Sequence, residues 1–409
     1  MKGNNEPSSF GSSVCTPAVF EVREKFNVST TAGLLGLSLY VFGLAFGPVM
    51  AAPISETAGR NVVYMTTFPI FMLFTMRRAL RFIRVTSGFY GGPVMAVGTG
   101  SAAGMYADRW QIVGTAAYIT WPFFGPSLGS FKRNTNALNG PIVGGFVAEH
   151  KDWHWTQWTI LFGALPIHLM TLCIPKTYQK TLMKRRAKQR GLPLSPKERE
   201  GAAAIKFLIS ITLIRPPIVL FISFYFAFCF TVLFAPFEAY PIVFGGIYGM
   251  SISHGGLPFL GIAVGVLIAV ATSLWVDEKW YQPQRVGMPV ALFWFGWSAR
   301  ASVSYWSPLL AGVPFAWGTM AIFIGIGNYM VNTHGPLTCA SVFAASGIVQ
   351  NGLGAAFPLF TIQIYTKLGV DWASSLLVFI SLALLPIPWV LFKWGPKIRY
   401  MSRYDTIAD

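Results

Sequence analysis

From Ala301 to Thr366 the chain runs for 66 residues without one Asp, Glu, Lys or Arg. A helix at the surface of a water-soluble domain carries a charged face along its whole length, whereas a bilayer crossing requires about 20 consecutive apolar residues. A run of this length therefore predicts two crossings joined by a turn, placed at His334-Gly335-Pro336. Composition points the same way. Hydrophobic residues make up 54% of the 409 and charged residues 11%, against about 25% charged in an ordinary soluble domain. Mean hydropathy is +0.53. So few solvated side chains cannot cover a water-facing surface, which excludes most soluble enzyme classes. The expectation is an all-α polytopic membrane protein.

Further candidate spans are Ala32 to Pro53, Asn61 to Met76, Val85 to Ala107, Trp110 to Gly129 with an apolar piece resuming at Gly140, and Trp153 to Pro175. In the second half they are Pro216 to Phe237, Gly255 to Val276, Val286 to Ala299 and Trp372 to Phe392. With the two crossings of the charge-free run, about eleven spans are expected, in groups of five and six. Between the groups, Lys176 to Arg215 holds eleven Lys/Arg against only Glu198 and Glu200. The positive-inside rule places this segment in the cytoplasm and reads the overall +16 charge as lipid-facing rather than as a nucleic-acid footprint. The expected organisation is an N-terminal segment (1–31), a first helical bundle (32–175), the basic cytoplasmic linker (176–215), a second bundle (216–394) and a cytoplasmic tail (395–409). Two groups of spans about such a linker suggest a transporter of two repeats with its site near the midplane.

Chemistry-bearing motifs are scarce. Cys15, Cys173, Cys229 and Cys339 form no CxxC pair, and neither GxxxxGK(S/T) nor HExxH occurs. GTGSAAG, Gly98 to Gly104, lacks the dinucleotide spacing and reads as helix packing. No metal, no cofactor and no enzymatic activity are expected. Glu238 stands out as the one acid between Glu200 and Asp277, at the end of a long apolar run. Desolvation penalises a carboxylate, so such a group exchanges a proton near neutral pH or pairs with a cationic substrate; the alternative is a solvated carboxyl at the outer mouth. Trp155, Trp158, Trp294 and Trp297 are expected as interfacial anchors.

GPVMAAPISETAGR, Gly47 to Arg60, resembles the cytoplasmic loop between spans two and three of the major facilitator superfamily. GLSLYVFGLAFGP before it, GPIVGGFVAEHKDWHWTQW, PKTY, FEAYPIVF, IYGMSISHGGLPFLGIAVGVLI, LFWFGWSAR and GAAFPLF narrow the resemblance to the fungal twelve-span drug:proton antiporter branch, over nearly the whole chain from Ser12. The resemblance implies a major facilitator fold of two helical bundles. It also implies gating residues at Gly47, Glu56, Gly59 and Arg60, where Glu56 and Arg60 stand i, i+4 and can pair. Arg84 resembles the arginine of span four tied to proton coupling. Gly125, Pro126, Gly140, Pro141, Gly144 and Gly145 resemble the span-five hinge of exporters.

The chain also departs from the pattern. Asn61, Asn332 and Gln350 stand where Arg, Asp and Arg are usual, and Lys176 replaces the Glu of the PETY element. Ser12 to Thr30 resembles only the outer end of span one and the loop after it, so the chain as written is expected to lack that span, and Asn27 then opens an external glycosylation sequon. Arg77, Arg78, Arg81 and Arg84 fall where an extracellular turn is expected, and SFKRNTNALN interrupts span five. As written, the chain is expected to transport poorly.

The expected function is proton-coupled export of a drug-like, toxic or secondary-metabolite small molecule, with protons, the substrate and membrane lipid as partners and no nucleic acid. The expected setting is a monomeric multi-pass protein of the cell membrane, the plasma membrane rather than the vacuole. The rivals are an importer of the same fold, for polyamine, sugar or peptide, and a non-transporting pseudotransporter.

Overall fold

The computed structural model describes residues 30–76, 82–105, 113–114, 117–120, 154–172, 189–190, 217–250, 258–275, 286–387 and 390. Its principal helices are α1 (Thr30–Thr57), α2 (Arg60–Met76), α3 (Phe82–Met105), α4 (His154–Leu172), α5 (Pro217–Tyr240), α6 (Pro258–Trp275), α7 (Gly287–Ser298) and α8 (Trp306–Leu384), and a π-helical turn, Pro241–Ile247, continues α5. No strand occurs among the described residues. In hydrocarbon nothing but the segment itself can bond its N–H and C=O groups, so apolar runs close into helices, and internal prolines such as Pro48, Pro69, Pro93 and Pro236 are tolerated there. Four stretches are long and apolar enough to cross a bilayer: Leu35–Ser55, Leu220–Ile247, Trp306–Val331 and Ala340–Leu384. Large apolar side chains on helix faces, including Phe162, Met170, Trp372 and Phe379, are 60–69% exposed, as lipid-facing residues are.

A straight helix as long as α8 would measure on the order of 120 Å, several times the ~30 Å of a hydrocarbon core. The run folds back instead. A Cβ on Gly327 would lie 3.9 Å from the Phe343 ring, which one straight helix cannot bring together. The reversal falls in the interval containing His334-Gly335-Pro336, but the backbone stays helical through it rather than opening into the expected tight turn. A second break comes at Gly369, whose φ of +76° is open to glycine at no steric cost. α8 is thus three limbs: Trp306–Val331, 340–368 and 370–384.

Both halves use the same device to bring helices together. Added Cβ atoms on Gly43 and Gly47 would collide with the Val85 and Phe89 carbonyls, and one on Gly88 with the Tyr40 carbonyl. α1 and α3 therefore run parallel in backbone contact. In the second half a Cβ on Gly261 would sit 2.7 Å from the Leu309 carbonyl, and one on Gly265 would strike the Val313 carbonyl, which joins α6 to the first limb of α8 in the same parallel sense. Small residues at such crossings let backbones approach closely. The repetition of this crossing on either side of the linker is the structural trace of an internal repeat.

The halves meet through Ala52 and Ala96 on one side and Ala340 and Ala344 on the other. These residues lie toward the end that the basic linker assigns to the cytoplasm. At the opposite end of the second half, the Tyr248 hydroxyl donates to the Ser298 and Arg300 carbonyls at 3.2 and 3.0 Å. Burial raises this phenol above its ordinary value, so it stays a neutral donor. The Arg300 guanidinium pairs with Asp371 at 3.1 Å and lies over the Trp297 ring. The pair is 48% and 32% exposed, and surface pairs contribute ~1 kcal/mol or less. Asp371→Asn is therefore expected to leave the melting temperature of the purified protein nearly unchanged, which a thermal-shift measurement checks.

Candidate functional site

The first candidate region is the connection between α1 and α2. The Ser55 hydroxyl donates to the Ala52 carbonyl at 2.7 Å, and the Ala58 amide donates to the Ile54 carbonyl at 2.8 Å. Gly59, at φ +98°, turns the chain in the left-handed region, where a side chain would be strained. Arg60 then opens α2, only 6% exposed. A Cβ on Gly100 would lie 3.6 Å from the Arg60 guanidinium and 3.3 Å from Ala340, so this cation reaches α3 at the place where α3 meets the other half. A cation at a helix N-terminus is opposed by the helix dipole, so α2 itself gains nothing from an arginine there. Tyr64, one turn on, bonds Ser101 of α3 at 3.1 Å. The side chain of Glu56, the expected partner of Arg60, lies outside the described residues. Gly47 sits two turns deeper, against the Phe89 carbonyl and Pro93. Opening the inner contact should therefore be sensitive to Arg60: Arg60→Ala is expected to raise thiol labelling of Ala344→Cys from the cytoplasmic side by roughly tenfold, a measurement of accelerated opening of a buried site.

The second region surrounds Glu238. The sequence rises from the apolar body of α5 through Pro236 to Glu238, and Pro241 starts the π turn that follows. π-helical turns recur at functional sites. The carboxyl is 7% exposed, and its Oε2 atom is buried without a hydrogen-bond partner. The carboxyl is therefore not the solvated outer-mouth group that was the alternative. Tyr365, from the second limb of α8, stands close enough to feel the charge of Glu238 and adjoins Ser374 of the third limb. Tyr365, Tyr240, Phe295, Phe315 and Gly312 line a cavity of ≈ 20 Å³, room for about one water. The Tyr240 ring packs on Phe244, Phe259 and Phe295 at 5.4, 4.9 and 5.4 Å between centroids. Glu238 does not line this cavity itself; Tyr365, which does, is the group that connects the two. An ionised carboxylate at so buried a position lacks compensation, whereas the neutral acid is far less costly.

Arg84 lies half-buried in the first turn of α3. The parallel packing of Gly88 on Tyr40 puts it in the outer part of the α1–α3 pair, far along the helices from Arg60 and Ala340. Gly125, Pro126, Gly140, Pro141, Gly144, Gly145 and Asn27 lie outside the described residues, as do Arg77, Arg78 and Arg81. Trp294 and Trp297 are each 40% exposed, with indole N–H groups donating to Ser307 and Ser375, the pattern of anchors rather than of a closed cage. Among the described residues no three His, Cys, Asp or Glu side chains cluster as metal ligands. Sequence reasoning missed Tyr365 and Tyr240, since a tyrosine inside an apolar run carries no signal of what its hydroxyl will face.

No model of a protein family matches the chain. Relatives do. Polyamine transporter 4 of Saccharomyces cerevisiae is 33% identical over 97% of this chain and 68% of that protein. The major facilitator superfamily multidrug transporter mdrA of Aspergillus fumigatus is 32% identical over 97% and 70%, and the MFS-type transporter traF of Penicillium crustosum is 31% identical over 98% and 86%. Among solved structures, the proton:xylose symporter XylE superposes with a TM-score of 0.72 at 13% identity, covering 96% of this chain and 93% of that one. The human organic anion transporter MFSD10 superposes with a TM-score of 0.66 at 14% identity, covering 94% and 98%. At such identities the structural likeness speaks for the fold alone. Together with the close relatives, it establishes that the chain belongs to the major facilitator superfamily and is a membrane transporter, not an enzyme.

Proposed function

We propose that the protein is a proton-coupled exporter of drug-like, toxic or secondary-metabolite small molecules, working as a monomer in the plasma membrane. The observation that carries this reading is Glu238, a carboxyl enclosed in one half of a two-half transporter with an oxygen no protein group satisfies. Protonated, it fits its buried position at the outer end of α5; ionised, it favours any conformation that brings water to it. A proton therefore biases one arrangement of the halves by its differential affinity for the two. Arg60 with Gly47, Glu56 and Gly59 closes the inner contact, Arg84 contributes to coupling from the outer part of α3, and the glycine-proline series from Gly125 to Gly145 serves as the hinge. The likeness to the multidrug transporter mdrA supports drug-like substrates.

A second reading, movement of polyamines, draws on the likeness to polyamine transporter 4. The test of coupling and direction is a proteoliposome assay with an imposed pH gradient, using tetraphenylphosphonium and spermidine as separate probes. Accumulation of tetraphenylphosphonium against proton flow is the expected result. Accumulation of spermidine alone moves the substrate to the second reading, and no gradient-driven flux of either removes the proposal.

A further inference from the structure

Four buried polar atoms without a hydrogen-bond partner lie along the seam between α5 and the second limb of α8: Ser223 Oγ, Thr231 Oγ1 and Glu238 Oε2 on α5, and Ser346 Oγ on the limb. All four residues are more than nine-tenths buried. Other hydroxyls in these helices satisfy themselves on the preceding turn, as Thr361 does on the Phe357 carbonyl, Thr319 on Phe315 and Ser381 on Val378. The seam residues do not.

The two elements run parallel. Ile222 packs with Val342 and Ala345, and farther out a Cβ on Gly354 would lie 2.9 and 3.7 Å from the Phe230 and Phe234 rings. This register sets Ser346 beside Ser223. At roughly 100° per residue, Ser223, Thr231 and Glu238 fall within about 80° of one another, on the side where Phe230 and Phe234 meet Gly354, and Cys229 points away. The line from Ser223 to Glu238 extends about 22 Å, most of a hydrocarbon core. Each dry, unbonded polar atom costs about 1–3 kcal/mol, and buried water ordinarily relieves such groups. Phe234, edge-to-face with Phe230 at 5.1 Å, stands between Thr231 and Glu238.

We infer that the seam between α5 and α8 holds a file of water from its cytoplasmic end to Thr231, closed toward Glu238 by Phe234, and that this file is the route by which Glu238 exchanges its proton with the cytoplasm. The inference rests on the proposed coupling role of Glu238. It separates the proton's route, inside one half, from the cleft between halves. The other titratable groups on the described parts of α5 and the second limb of α8 are Tyr225, Cys229, Tyr240, Tyr365 and the exposed Lys367.

The test uses the full chain in membranes, with Cys15, Cys173 and Cys339 replaced by alanine and buried Cys229 kept as the internal standard. Thr231→Cys and Ser346→Cys, close in size to the originals, are treated with methanethiosulfonate ethylammonium. Thiolate forms only where water reaches, so both are expected to react roughly tenfold or more faster than Cys229. Reaction no faster than Cys229, in variants that melt like the parent, means a dry seam and overturns the inference. Gradient-driven flux is then read in Thr231→Val, which keeps the shape and removes the hydroxyl: a loss of roughly tenfold is expected. Flux equal to the parent overturns the route. A parent without gradient-driven flux overturns the coupling role of Glu238 instead, and the route with it, whatever the labelling shows.

Discussion

Replacing Glu238 by glutamine is expected to cut gradient-driven accumulation severely while probe exchange across the membrane at equal pH persists. The amide matches the acid in size and remains neutral, so the buried surroundings of position 238, Tyr365 among them, keep their packing. What disappears is the second protonation state of position 238, the one by which, on the proposed function, a proton favours one arrangement of the halves over the other. Accumulation is expected to fall by roughly tenfold or more, and melting temperature to stay close to that of the parent, because no packed volume is lost. Glu238→Asp, which keeps the titratable group but withdraws it by one methylene, is expected to retain part of the accumulation. Proteoliposome uptake read with and without a pH gradient checks all three. Glu238→Gln with parental accumulation removes the carboxyl from the mechanism.

Gly43→Val and Gly88→Val are expected to prevent folding outright. At both positions the new side chain meets backbone: the Val85 carbonyl and, at 2.7 Å, the Phe89 amide nitrogen for Gly43, and the Tyr40 carbonyl for Gly88. A flexible side chain can swing away, but a helix backbone moves only if α1 and α3 separate along their length. Overpacking ordinarily costs about 1–3 kcal/mol, and a clash with backbone belongs above that range. The matched control is Gly246→Ala, in the π turn after Glu238, where an added Cβ meets nothing within 4 Å. Fluorescence-detected size-exclusion should show loss of the monodisperse peak for both valines and a parental profile for the control. A parental peak for Gly43→Val contradicts the notched crossing.

Much of this architecture is legible in the chain. Hydrocarbon forbids unbonded backbone, so the charge-free runs declare the helices, and the isolation of Glu238 among apolar residues marks it without any coordinates. Gly59 at the end of the resemblance motif does take the left-handed turn that lets α1 stop and α2 start. Other features are invisible because they depend on a partner far along the chain. Arg300 and Asp371 are separated by 71 positions, and neither looks different from any loop charge. The seam is hidden for a subtler reason. Thr231 and Thr361 are the same residue in similar apolar surroundings, yet one bonds the preceding turn and the other does not. Only the rotamer distinguishes a hydroxyl that is satisfied from one that needs water. The turn at His334-Gly335-Pro336 is a third case: glycine and proline there signal a break, but in a bilayer protein neighbouring helices can hold the backbone helical through such a pair.

The central claim is that protonation shifts two helical halves between two arrangements, opening and closing the contact of Ala52 and Ala96 with Ala340 and Ala344. Electron-electron double resonance between spin labels at the exposed positions Ala58, on the turn after α1, and Val286, at the start of α7, measures this directly in nanodiscs. The account predicts two distance populations whose ratio changes between mildly acid and mildly alkaline buffer, and a ratio fixed at the acid value in Glu238→Gln. A single distance that ignores pH, in protein that still transports, would contradict it.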